Sequence, residues 1–435
     1  MDGGFAFDHA VRQIPHGTET VAGSGSIDYH GAAMIRGTLA VMTSRNFAKA
    51  LILSSLLGGA AFTQPAAAQT GGTTPPILET ETSDVSSLPP ATPHRVYISG
   101  GYGGGFSIID GDTAKVVGTV NSAGSAAFAV APDNKFFYVS ESMWTRGNRG
   151  TRQDLLSIYD GTDLKLVKEI ELPGRLIASG RIPFFSISAS GTRGYVYNME
   201  PAASVFTVDL KTHKVLSTTE TPGCGLVYPF GDAGFASLCA DGTLASVALD
   251  AKAKGTITIT PQFFDPEKDP VFEESIVDIK SSKAFFITYT GMVFPAQLGA
   301  TSKVAEGWSL QRAAGLGVAT PDVQQKTWRP GGRRPFAYHA ASGTLYALMH
   351  NGKHWTQKEH GSELWVIDTA TQKVTKRIEL LTDGRVVGVS QDANPQLYVV
   401  SGDGLFQVLD PATGKMVRHL TEVGGRTQLI AVTGF

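Results

Sequence analysis

Apolar residues alternate with small polar ones through Phe106-Ser107-Ile108-Ile109 and stop at Asp110; after a short polar turn, Lys115-Val116-Val117 sets off again. Alternation of period two around an acidic turn predicts a β-hairpin. The same phrase returns as Leu156 to Asp160 with Lys165, as Phe206 to Asp209 with Lys214, as Leu364 to Asp368 with Lys373, and as Phe406 to Asp410 with Lys415. Two degenerate copies end at Asp250 and Gln297, which makes seven. The turns are spaced 50, 49, 41, 47, 71 and 42 residues apart, so one interval carries an insertion.

A second pair of strands sits between successive hairpins, as in Ala127 to Val139, Phe184 to Val196, Val386 to Val399 and, more loosely, Phe336 to Leu348. Pair plus hairpin gives four antiparallel strands, and residues 94–435 allow about 49 residues per copy, near the length of a propeller blade. The expected fold is therefore all-β, a seven-bladed β-propeller. At its start, Arg95 to Ser99 lacks an inner neighbour; at its end, the apolar stretch 428–435 lacks a partner. Pairing of that C-terminal strand with the first blade is expected to close the ring and leave no open sheet edge.

Composition adds three restrictions. Charged residues are 17% and Gly numbers 50, which fits many turns and few charged helices. A net charge of −2 gives no footprint for nucleic acid. Residues 42–68 read as a signal peptide, with basic Arg45 and Lys49, an apolar core at 50–62 and a small-residue cleavage site before Gln69. Residues 1–41 then read as a non-native N-terminal extension, and 69–93, rich in Thr, Pro, Ser and Glu, as a flexible tail. Export places the two cysteines, Cys224 and Cys239, where a disulfide forms, closing a loop worth roughly 3 kcal/mol in the chain-entropy model.

Candidate chemistry is sparse. The sequence has no nucleophile elbow, zinc-protease motif or haem-attachment motif, and its ten histidines are scattered. The Gly-rich run at 100–105 precedes a strand, not a helix, so it reads as a turn and not a dinucleotide site. The residues alone leave an enzyme subunit and a binding module both open.

Several stretches go further. Arg149, Gly150, Arg152 and Asp154 precede a strand, Ile170 to Pro173 forms a turn, and Glu200-Pro201 opens the strand to Asp209. Cys224 follows Gly223, Cys239 leads into Asp241-Gly242, and Tyr289-Thr290-Gly291 lies downstream. Trp328-Arg329-Pro330-Gly331-Gly332 precedes Tyr338-His339. In order and spacing this set resembles the heavy subunit of the quinoprotein amine dehydrogenases, the methylamine and aromatic amine dehydrogenases of the bacterial periplasm. The resemblance covers essentially all of 94–435. It implies a periplasmic α2β2 enzyme that oxidises a primary amine to an aldehyde and ammonia and passes electrons to a blue copper protein, amicyanin- or azurin-like. Its cofactor, tryptophan tryptophylquinone, belongs to the small subunit, and no catalytic residue or metal is expected in this chain. By the same resemblance Tyr102 becomes the candidate for lining the amine channel. Trp328, Arg329, Gly331 and Gly332 lie in the enlarged interval, where an insertion is placed to meet the small subunit. The competing expectation is a free-standing periplasmic propeller that binds a ligand or protein without redox activity.

Overall fold

The computed structural model describes residues 87–433, apart from 101–103, 125, 148, 178 and 424–426. The expected extension, the signal peptide and Tyr102 lie outside the described residues. Those described form a β-propeller with almost no helix: one 3₁₀ turn at Ile182–Phe184 and one α-helical turn at Leu310–Ala313.

The predicted hairpins form where the alternation placed them. Phe106–Asp110 pairs with Lys115–Val120, Arg149–Asp160 with Leu166–Glu171, Ser204–Asp209 with Lys214–Glu220, and Leu244–Leu249 with Gly255–Ile259. At the turns an Asp carboxylate accepts the backbone N–H two residues on: Asp160 from Thr162 at 2.7 Å, Asp209 from Lys211 at 2.8 Å, Asp368 from Ala370 at 2.8 Å and Asp410 from Ala412 at 2.7 Å. That bond is why Asp recurs there. The residue before each returning Lys is left-handed, with φ of 52° at Ala114, 58° at Leu164, 57° at His213, 53° at Gln372 and 76° at Gly414. Only the last copy uses the residue that adopts this conformation without cost.

The expectation of seven separate sheets needs correction. Hydrogen bonding yields six sheets; five are separate units of four or five strands, and the sixth has eight strands. The reason is the seventeen-residue strand Lys373–Val389. Its first part pairs with Gly361–Asp368 and its last part with Leu397–Ser401, so two repeats are joined through one continuous backbone. Near the C-terminus, Ile430–Val432 pairs antiparallel with Arg95–Ser99, Val96 facing Val432 and Ile98 facing Ile430.

Apolar side chains pack between neighbouring sheets. Tyr97 and Phe106 of the first sheet meet Phe128 and Phe137 of the next, with ring centroids 4.6 to 6.4 Å apart. Each such ring stabilises the fold by roughly 1.5–3 kcal/mol on burial. Packing also begins before residue 94, because Leu88 is buried against Gly118 and Leu164 and its N–H donates to the Thr162 carbonyl at 2.7 Å.

Inner segments within 128–132, 182–187, 227–229, 274–280, 334–341, 387–391 and 430–433 surround an axial cavity of about 310 Å³. Each segment starts at one end of the channel and leaves at the other. The exit end carries the Asp turns. The entry end carries the longer loops and, as described next, several of the stretches behind the family resemblance.

Candidate functional site

The entry end is held together by charged side chains reaching across the axis. Arg181 pairs with Glu273, Arg333 Nη2 donates to the Gly180 carbonyl at 3.0 Å, and Arg385 Nε donates to the Thr427 carbonyl at 2.7 Å. Arg334 Nη1 donates to the Ile430 carbonyl. The buried Glu274 accepts the Ile182 N–H at 3.1 Å. Four arginines against two glutamates leave this mouth cationic. Burial pushes the Glu274 carboxyl up, opposed by Arg334, Arg181 and Arg333; burial likewise lowers the Arg334 guanidinium, opposed by Glu274.

The enlarged interval folds beside this mouth. Thr327–Pro330 is a strand paired with residues 349–352, ahead of the inner strand Phe336–His339. Arg329 is 1% exposed and bonds the carbonyls of Gly352 (3.3 Å), Thr320 (2.8 Å) and Gln325 (3.4 Å). Gly331 and Gly332 are buried as well. A Cβ on Gly331 would lie 2.3 Å from His350 Nδ1, and one on Gly332, at φ 129°, would lie 2.7 Å from the Arg385 carbonyl. Of the four residues singled out, only Trp328 keeps a partly accessible side chain. It lies 5.9 Å from Trp365, and the Arg377 guanidinium stacks over both rings at 4.6 and 5.0 Å. That sandwich is a packing arrangement in its own right, with Arg377 fixed by Glu363 at 2.7 Å.

Two further stretches lie at the same end. Cys224 and Cys239 face one another across adjacent strands and are bonded as a disulfide. Arg152 and Asp154 sit on the long hairpin of Phe136–Arg146 and Arg149–Asp160, paired at 2.7 Å, with Arg152 also reaching the Leu176 carbonyl at 2.6 Å and lying 5.3 Å over Trp144. This is a local charge network that stiffens a projecting hairpin.

Sequence reading passed over the loop at 353–360. Trp355 there is 49% exposed with φ of 69°, a left-handed backbone that a bulky residue rarely adopts. His354 stacks on it at 4.4 Å, and Tyr289 meets it edge-on at 6.1 Å. The buried His350 beneath, beside Arg329, is lowered to about 4, chiefly by burial and then by that cation. No hydrophobic period marks this loop, since one aromatic held outward has none. No cluster of three metal-ligating side chains occurs among the described residues.

The fold is an all-β propeller with a braced, cationic mouth. Two solved structures share it, a dihydro-heme d1 dehydrogenase (TM-score 0.53, 15% identity, covering 79% of this chain and 76% of that one) and a functionally unknown protein from Desulfotomaculum acetoxidans (TM-score 0.53, 12% identity, covering 78% and 99%). At those identities the likeness is one of fold alone. Sequence resolves the class: the methylamine dehydrogenase heavy chain family matches residues 102–434, and this chain belongs to it. The methylamine dehydrogenase heavy chain of Methylorubrum extorquens is 32% identical over 332 residues, 75% of this chain and 78% of that one. That of Methylobacillus flagellatus is 28% identical over 409 residues, 91% and 98%.

Proposed function

We propose that this chain is the heavy subunit of a periplasmic amine dehydrogenase, serving as a rigid platform for a small subunit that carries tryptophan tryptophylquinone. The family match across 102–434 is the observation that carries this reading. In it the assembly is α2β2, a primary amine is oxidised to aldehyde and ammonia, and a blue copper protein takes the electrons. The quinone supplies the redox chemistry from the partner, and this chain contributes shape and charge around it. The same reading takes the eight-stranded sheet as two units fused through Lys373–Val389, and the pairing of Ile430–Val432 with Arg95–Ser99 as the closure of the ring.

The entry end is the docking end in this reading. It presents Trp355, Trp328 and the stalk of the long hairpin, whereas the opposite end presents short self-capped turns. Tyr102, outside the described residues, remains the candidate for lining the amine channel. Purification from the native host under mild conditions should bring down a small, quinone-staining chain, and the complex should turn over methylamine or a phenethylamine with a dye acceptor. A colourless monomer under those conditions refutes the reading. Replacing Trp355 with Ala should leave the fold intact and weaken the subunit complex by about thirtyfold, as for a central aromatic anchor.

A further inference from the structure

The axial cavity has features that a scaffold role does not use. Its volume of about 310 Å³ lies at the lower edge of the range for small-molecule sites. Its walls are mostly apolar, including Phe128, Ile182, Val227, Phe336 and Ile430, with Asp278 and Lys280 also on the lining. Both members of a buried, oppositely charged couple, Arg334 and Glu274, line it. Arg334 uses one nitrogen on the Ile430 carbonyl and Glu274 one oxygen on the Ile182 N–H, and no ion pair joins the two among the described residues. A charged group in a low-dielectric site is costly unless something neutralises it. Arg333 stands close enough to act on Glu274 as well, and with Arg181 taken up by Glu273 the arginines still outnumber the glutamates at this inner end.

We propose that the channel binds a small organic carboxylate, whose anionic head lies on Arg334 and whose apolar body lies between the inner strands. The crossings by Arg181, Arg333 and Arg385 brace the entry end, so the ligand comes in from the Asp-turn end, past Pro132, Gln391 and Thr433. A partner docked on the entry end therefore leaves the site open. A primary amine is the wrong ligand in this proposal, because the Arg334 guanidinium on the cavity wall repels it, and Arg181 and Arg333 behind that wall already act on Glu274.

The test is titration calorimetry of the purified chain, or of its complex, with 3-phenylpropionate, L-phenylalanine and phenethylamine. The carboxylates should bind in the millimolar range or tighter, and phenethylamine should give no saturable heat. Arg334→Gln should weaken 3-phenylpropionate by about tenfold or more, and Glu274→Gln should tighten it several-fold by removing an opposing charge. Where Arg334→Gln fails to fold, Ala129→Phe blocks the channel and keeps every charge; it should abolish binding. Unchanged affinity in the channel-blocked variant, binding of phenethylamine in preference to the carboxylates, or no heat from any carboxylate would each overturn the proposal. The cavity belongs to this chain's own fold, so those outcomes leave the subunit reading standing, and a missing small subunit leaves the carboxylate site standing.

Discussion

The two ends of the propeller are built on different plans. At the exit end the same solution is stamped out repeatedly: an Asp caps its own turn, a left-handed residue follows, and a Lys opens the return strand. At the entry end no two loops are alike, and long-range bonds hold them: Arg329 to Thr320 and Gly352, Arg333 to Gly180, the disulfide between Cys224 and Cys239. Local, repeated bonds make each turn dispensable, because its loss stays within one hairpin. Individual long-range bonds concentrate the cost of a substitution, and they allow a surface of specific shape.

That contrast is open to direct attack. The largest loss is expected from Arg329→Met, which removes a buried cation that ties together the carbonyls of Thr320, Gln325 and Gly352 and should cost roughly 4 kcal/mol in urea unfolding; a loss below about 1 kcal/mol would remove the claim that this end is braced through single residues. Replacing both Cys224 and Cys239 with Ser should cost roughly 3 kcal/mol, with the subunit complex weakened only as far as the loop loosens. Acid separates the ends further. The folded His350, near 4 against an ordinary 6.5, binds fewer protons than the unfolded chain between those values. Its contribution is complete above pH 6.5 and is lost as pH falls toward 4; Glu359, 3.9 Å away, and Arg329 are the charges that face it. His350→Gln should therefore flatten the stability profile across that window by roughly 2 kcal/mol. Backbone N–H donors, by contrast, hold Asp368 and Asp410 below the ordinary 3.8. Their contribution persists at pH 5 and fades only below pH 4, so Asp410→Asn should give the smallest change, a slight fall in Tm at pH 7 that disappears in stronger acid.

The exit end was also the legible one. Alternation and recurrent Asp reveal a hairpin within a dozen residues, because every bond that makes it is local. The joining of two repeats was not legible, since nothing in the pattern through Arg385 says that a strand fails to break. Arg329 and Gly331 were visible as a motif, yet their place inside the sheet depends on His350 and Gly352, twenty residues on. Trp355 left no signal, because outward display is a property of its neighbours His354 and Tyr289. The mouth of the channel was equally hidden, because Arg181, Glu274, Arg334 and Arg385 meet only once the chain has gone round.

Two junctions between repeats differ in strength. Three residue pairs join Ile430–Val432 to the first strand, while Lys373–Val389 welds its two repeats with unbroken backbone. A short pairing gives way before an unbroken strand does. Deuterium should therefore enter Arg95–Ser99 and Ile430–Val432 well before it reaches the welded pair, making the pairing of those two strands the place where unravelling starts.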